Sequence, residues 1–271
     1  MTGEGPNNDG SQNDYGNGPV LITTDVGCTN ANSVATTPVG IVFKSAKGIY
    51  LLDRSGGAQY IGGPVEAYNS KTITSANLIS TINQVRFTTS EDTMLVYDYF
   101  AQQWSTFTGL AALDATNWND SYVVLRTDGY ALQETSGIWT DNGAFVKLNL
   151  TTSWLALAGI QNFQRVWRTL ILGSYKGPHV INLQFGYDYN PAFTQTASFD
   201  GYAVVGSSPT YVPYQFRVHL TQQKCEAIRI NIYDTQSAPY NEGFDISSLN
   251  LEVGVKQAAY KLPPANTGGN V

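Results

Sequence analysis

Hydrophobic and polar positions along this chain alternate with the period of two that marks β-strands, and hardly anywhere with the period of a helix. No stretch of twelve residues places apolar side chains at i, i+3, i+4 and i+7 without a Gly, Pro or β-branched interruption. The clearest segment predicts four strands, Ile73 to Ile79, Gln84 to Thr89, Thr93 to Tyr99 and Gln103 to Thr108. Short polar or Gly-containing breaks separate them, which is the pattern of an antiparallel meander.

The same hairpin is written three times. Val42 to Ser45 and Ile49 to Asp53 form one copy, Val85 to Thr88 and Met94 to Asp98 the second, Val123 to Arg126 and Tyr130 to Glu134 the third. Each is followed by a short aromatic segment, Gln59-Tyr60-Ile61, Gln103-Trp104-Ser105 or Gly137-Ile138-Trp139. The leading valines stand 43 and 38 positions apart, close to the roughly 40 to 50 residue period of four-stranded propeller blades. Fewer than four blades are visible, so this region cannot close a propeller ring by itself. Its unpaired blade edges predict an assembly surface between Val42 and Trp139.

Beyond Asp141 the repeat disappears and the strands lengthen. Ile181, Leu183, Phe185, Tyr187 and Tyr189 share one face, as do Tyr214, Phe216, Val218 and Leu220, then Ile228, Ile230 and Ile232, then Leu249, Leu251, Val253 and Val255. Val146, Leu148 and Leu150, and the run Val166 to Leu172, supply further strands, with turns at 173–178 and 206–209. The expected fold class is therefore all-β, incomplete propeller blades followed by an antiparallel β-sandwich. The expected divisions are an arm at 1–19, blades at 20–141, the sandwich at 142–260 and a tail at 261–271.

Composition narrows the function. Charged residues make up 13% of the 271, with 17 Tyr and 26 Gly, against roughly 25% charged in ordinary soluble domains. A net charge of −6 argues against sequence-specific or wrapping contact with nucleic acid. Passive contact with DNA in a lumen stays compatible with it. No apolar run is long enough for a membrane span, and the start of the chain lacks a secretory signal. Cys28 and Cys225 read as two separate thiols.

The catalytic inventory is thin. His179 and His219 are the only histidines, and both read as solvated strand residues. No nucleophile elbow, phosphate loop, dinucleotide fingerprint or zinc motif occurs, and no cofactor or metal is expected. Asp53, Asp98 and Glu134 at matching places in the repeats suggest a shared role in ending strands or bonding turn amides. A glycoside hydrolase would need two cooperating carboxylates, drawn from Asp53, Glu66, Asp98 and Asp188. Aromatic residues offer the other route to a site. Trp104, Trp118, Trp139, Tyr187 and Tyr189 are the candidates for a carbohydrate platform or an interface anchor, with packing between blades as the competing reading of Trp104 and Trp139.

The runs Gly40 to Ser45, Lys47 to Arg54, Tyr60 to Tyr68, Asn83 to Phe87, Leu95 to Tyr99 and Gln103 to Phe107 resemble the last propeller blades of large virion proteins of tailed bacteriophages. Leu249 to Leu262 is similar to the way such proteins end, and the resemblance extends over Gly3 to Leu262. These are tail nozzle, hub or head-tail closure proteins, with propeller and sandwich modules around the DNA exit channel. The resemblance implies a non-enzymatic virion component made in the host cytoplasm, a ring-like homo-oligomer that is commonly six-fold, and neighbours among other tail or connector proteins. It also implies that the chain is the C-terminal part of a longer architecture, as a truncated, cleaved or split form. A carbohydrate-binding receptor module at the tail tip and, third, a glycoside hydrolase remain the alternatives.

Overall fold

The computed structural model describes residues 25–159, 162–201, 212–236, 240 and 242–260. The expected arm, the strand at 20–24, the turn at 206–209 and the tail lie outside them. The chain is all-β with several antiparallel sheets, and none of these closes into a barrel. It divides into two compact units, Met1–Ser136 and Gly137–Val271.

In the first unit a 3-10 turn, Ala31–Ser33, leads into β1 (Ala35–Thr37), β2 (Gly40–Ser45), β3 (Gly48–Asp53) and β4 (Ala58–Tyr60), paired in sequence order. Only glycine suits position 40, because a Cβ there would stand 2.2 Å from the Leu52 carbonyl oxygen. A second four-stranded meander follows, β5 (Ile73–Ile79), β6 (Gln84–Thr89), β7 (Thr93–Asp98) and β8 (Gln103–Thr108). The third has three strands, β9 (Ala112–Trp118), β10 (Ser121–Arg126) and β11 (Ala131–Gln133). Its expected fourth segment, Gly137-Ile138-Trp139, is not a strand. Instead β12 (Thr140–Asp141) pairs with β13 (Ala144–Phe145) in the second unit.

The three sheets stack face on face. Val42, Ile49 and Leu51 of the first sheet meet Val85, Phe87, Leu95, Tyr97 and Trp104 of the second in one core. On the other side of the second sheet, Met94, Val96 and Phe107 meet Ala115, Tyr122 and Val124 of the third. Both parities of β6 and β7 are therefore buried. Asn77 Nδ2 donates to the Ala115 carbonyl at 3.0 Å and Asn117 Nδ2 to that of Leu78 at 2.7 Å, tying β5 to β9.

The register moves the repeat by one residue from its expected phase. Asp53 pairs with Gly40 and Asp98 with Gln84, so Ile41, not Val42, is the counterpart of Val85. Val42 and Val85 face one another across the same core. Three consecutive apolar residues, Ile41-Val42-Phe43, conceal this phase in the sequence.

In the second unit β14 (Asn149–Thr151) is followed by the long β15 (Asn162–Tyr175), β16 (His179–Tyr187) and β17 (Gln195–Asp200). Then come β18 (Val212–His219), β19 (Lys224–Cys225), β20 (Ile228–Gln236) and β21 (Phe244–Tyr260). One sheet has the order β14-β20-β16-β17; in the other, β15 pairs with β18 and β19 and also with β21. Their apolar faces share one core, in which Ile171, Ile181, Leu183, Phe185, Ile228, Ile230 and Ile232 are buried, with Phe216, Leu249 and Leu251 against them. The polar face of the first sheet is cross-bonded, Asn231 Nδ2 to Gln184 Oε1 at 3.0 Å and Ser198 Oγ to Asn182 Oδ1 at 2.7 Å. Val146 and Leu148, expected in a strand, precede β14 and are exposed, as is Leu150 within it.

Phe87 is fully buried and Phe100 is 83% exposed. Phe87→Ala should cost about 3–5 kcal/mol in urea denaturation, and Phe100→Ala less than about 0.5 kcal/mol.

Candidate functional site

The strand-end carboxylates are engaged in building turns. Asp53 Oδ1 accepts hydrogen bonds from the Ser55 and Gly57 amides at 2.9 and 2.8 Å and from the Ser55 hydroxyl at 2.6 Å. These donors, the Ser55 hydroxyl foremost, hold its pKa below the usual carboxylate range. Asp98 Oδ1 accepts from the Phe100 and Ala101 amides at 2.9 and 2.8 Å. Glu134 differs: it pairs with Arg86 Nη1 at 2.7 Å, and the Arg86 guanidinium lies over the Tyr122 ring. Asp188, at a left-handed turn, accepts from the Glu226 amide at 2.5 Å and from Gln222 Nε2 at 2.8 Å.

The aromatic candidates fall in separate places. Trp104 is packed between strands, its ring centroid 4.8 Å from that of Tyr97 and 6.1 Å from that of Phe87, and its Nε1 donates to the Ile61 carbonyl at 2.8 Å. Tyr187 is buried, donates to Gln195 Oε1 at 3.0 Å, and has its pKa pushed up to about 12, chiefly by burial. Tyr189 is exposed beside Trp154, over which Arg229 also lies. Trp118 ends β9 with 70% of its surface exposed.

Trp139, half exposed, lines an open groove of about 300 Å³ in the second unit with Phe145, Leu148, Asp234 and Phe244. Lys176 bridges Glu242 at 2.6 Å and Asp245 at 3.1 Å along its rim, and the Glu242 bond leads in raising the lysine pKa. Asp234 is buried and accepts from the Leu148 amide at 2.8 Å; burial pushes its pKa up. His179, expected to be solvated, is buried instead: its ring stacks on Phe244 at 4.7 Å, and Nδ1 donates to the Gly177 carbonyl at 2.6 Å. It has the parity of Ile181, Leu183 and Phe185, so the alternation of β16 turns it onto the buried face.

The stack of sheets in the first unit also leaves two end faces. On the first sheet, register puts Thr36, Ile41, Leu52 and Ala58 in one row and Phe43, Tyr50 and Tyr60 in the next. The aromatic row is continuous, with centroids 6.2 and 5.2 Å apart, and Ile41 and Tyr60 are 38% and 40% exposed. On the third sheet, Trp118, Ser121, Val123, Leu125 and Ala131 share the face turned away from the second. Leu125 is 40% exposed.

No protein-family model matches the chain, and no curated protein sequence matches it. Among the described residues, no group of three or more His, Cys, Asp or Glu is placed to hold a metal ion, and no helix is long and apolar enough to cross a membrane. Cys28 and Cys225 are not joined in a disulfide.

Burial lowers the His179 pKa from 6.5, outweighing the Gly177 bond and the charge of Asp200, which oppose it. The unfolded chain takes up this proton as pH falls through about 6.5, before the folded chain does, so stability present above that value is lost below it. The melting temperature should therefore fall from neutral to mildly acid pH. In His179→Phe, whose ring can keep the contact with Phe244, this part of the slope should vanish.

Proposed function

We propose that this chain is a non-enzymatic structural protein of a tailed-phage virion, of the tail or head-tail region. It joins other virion proteins around the DNA exit path through its β-sheets. In this reading the three meanders are consecutive propeller blades that do not complete a ring, and the second unit is a β-sandwich. The observation that carries it is the stack itself: the middle sheet is covered on both faces, and each outer sheet presents a further, partly apolar face. Surfaces of this kind are buried in assemblies. The use of the strand-end carboxylates as turn anchors supports a structural role over hydrolysis. The resemblance of Gly40 to Phe107 to terminal blades of phage virion proteins supplies the particle.

Phage particles purified from cells carrying the gene should contain the chain at a fixed ratio to the tail proteins by quantitative mass spectrometry. Intact infectious particles without it would overturn the reading.

A second reading, glycan recognition at the tail tip, draws on Trp139 in its groove. An exposed indole can stack on a sugar ring while Glu242 and Lys176 bond its hydroxyls. Titration with host-surface oligosaccharides should then change tryptophan fluorescence in the wild type and not in Trp139→Ala.

A further inference from the structure

The two end faces of the first unit match in kind the faces that are already packed inside it. The first sheet turns Val42, Ile49 and Leu51 onto Val85, Phe87 and Tyr97 of the second. The second turns Met94, Val96 and Phe107 onto Ala115, Tyr122 and Val124 of the third. The same type of contact is thus made twice in succession, always from the forward face of one meander to the rear face of the next. What remains is one forward face, carrying Val123, Leu125 and Trp118, and one rear face, carrying Ile41, Leu52 and Tyr60. These rear positions correspond by register to residues that are buried in the second sheet: Ile41 to Val85 and Leu52 to Tyr97.

We propose that the occupant of each end face is the opposite end face of a second copy of this chain. The forward face of the third sheet packs on the rear face of the partner's first sheet, continuing the sheet-to-sheet contact that the chain forms internally. This is a heterologous, head-to-tail interface. The three stacked sheets in the first unit of each chain make six in a pair, a number within the roughly four to eight blades at which such stacks close on themselves. Closed about a two-fold axis along the centre of the ring, such a pair would bury both end faces of both copies. An isologous contact, third sheet on third sheet, would place two forward faces together and leave both rear faces bare, a pairing seen nowhere within the chain. The inference deepens the assembly part of the reading above and stands on sheet geometry alone. A chain that dimerises yet is missing from virions would sink that reading and leave this one in place.

The experiment is native mass spectrometry and sedimentation of the full chain at micromolar concentration, with two single variants, Leu125→Asp and Ile41→Asp. Both side chains are about 40% exposed, and circular dichroism and melting check that each variant is folded. The wild type should be a dimer, and each variant alone should dissociate, with a dissociation constant raised about 30-fold or more. Mixing the two variants should restore a dimer, because one intact forward face then meets one intact rear face; only a head-to-tail arrangement gives this complementation. A monomeric wild type overturns the proposal whatever the variants do. So does a dimer that Leu125→Asp abolishes and Ile41→Asp leaves intact, since that pattern marks an isologous contact. A dimer indifferent to both substitutions overturns it as well.

Discussion

A β-sheet with apolar side chains on both faces has to be covered twice. In the first unit the second meander carries this constraint most fully, because Val85, Phe87, Leu95 and Tyr97 project one way while Met94 and Val96 project the other. Neither neighbouring sheet could be removed without exposing one of these sets to water, at roughly 25 cal/mol for each Å² of apolar surface. The first and third sheets are held in the structure by this demand, and they transmit it outward. Each has one face satisfied and another, still partly apolar, that is not.

Polar groups make the stack specific. Asn77 and Asn117 bond carbonyls across the neighbouring edge strands β5 and β9, and Arg86 reaches past Tyr122 to Glu134. Each fixes how one sheet is set against the next, where apolar burial alone would let them slide. The Arg86 side chain is 8% exposed, and its position between Val85 and Phe87 would ordinarily mark a solvent face. Covering it with the third sheet required both an aromatic ring and a carboxylate. In the second unit the corresponding work is done by amides: fully buried Gln164 donates to the Leu155 carbonyl and accepts from the Leu157 amide, fastening the segment before β15 to that strand.

The use of acidic residues separates structural from chemical demands. Asp53 and Asp98 occupy the same place in successive meanders and do the same thing, capping the amides of the turn that follows. Glu134, one methylene longer and in a meander without a fourth strand, has no such turn to cap and forms an ion pair. The functional weight of the first unit therefore rests on sheet faces. In the second unit a groove lined by Trp139 and Lys176 brings aromatic and charged side chains together.

Much of the fold was legible in the sequence because strand alternation is a local property. The four strands from Ile73 to Thr108 were readable almost to the residue, as were the apolar faces of β16 and β20, since a period of two and polar turns follow from backbone geometry alone. The role of Asp53 and Asp98 could likewise be inferred from position. What lay beyond the sequence depended on what covers each face. Ile41-Val42-Phe43 is apolar on both parities, so only the register of β2 on β3 decides which residue matches Val85. Trp104 and Tyr187 look like Trp118 and Tyr189 in composition, yet packing buries the first two and leaves the others in water. Ile41 and Leu125 become end faces only because three sheets stack and the stack then stops, whereas the burial of His179, on the parity of Ile181 and Leu183, was legible in the alternation of its strand. Alternation along a strand determines that a face is apolar; which neighbour lies against it is a long-range matter, settled by the tertiary structure.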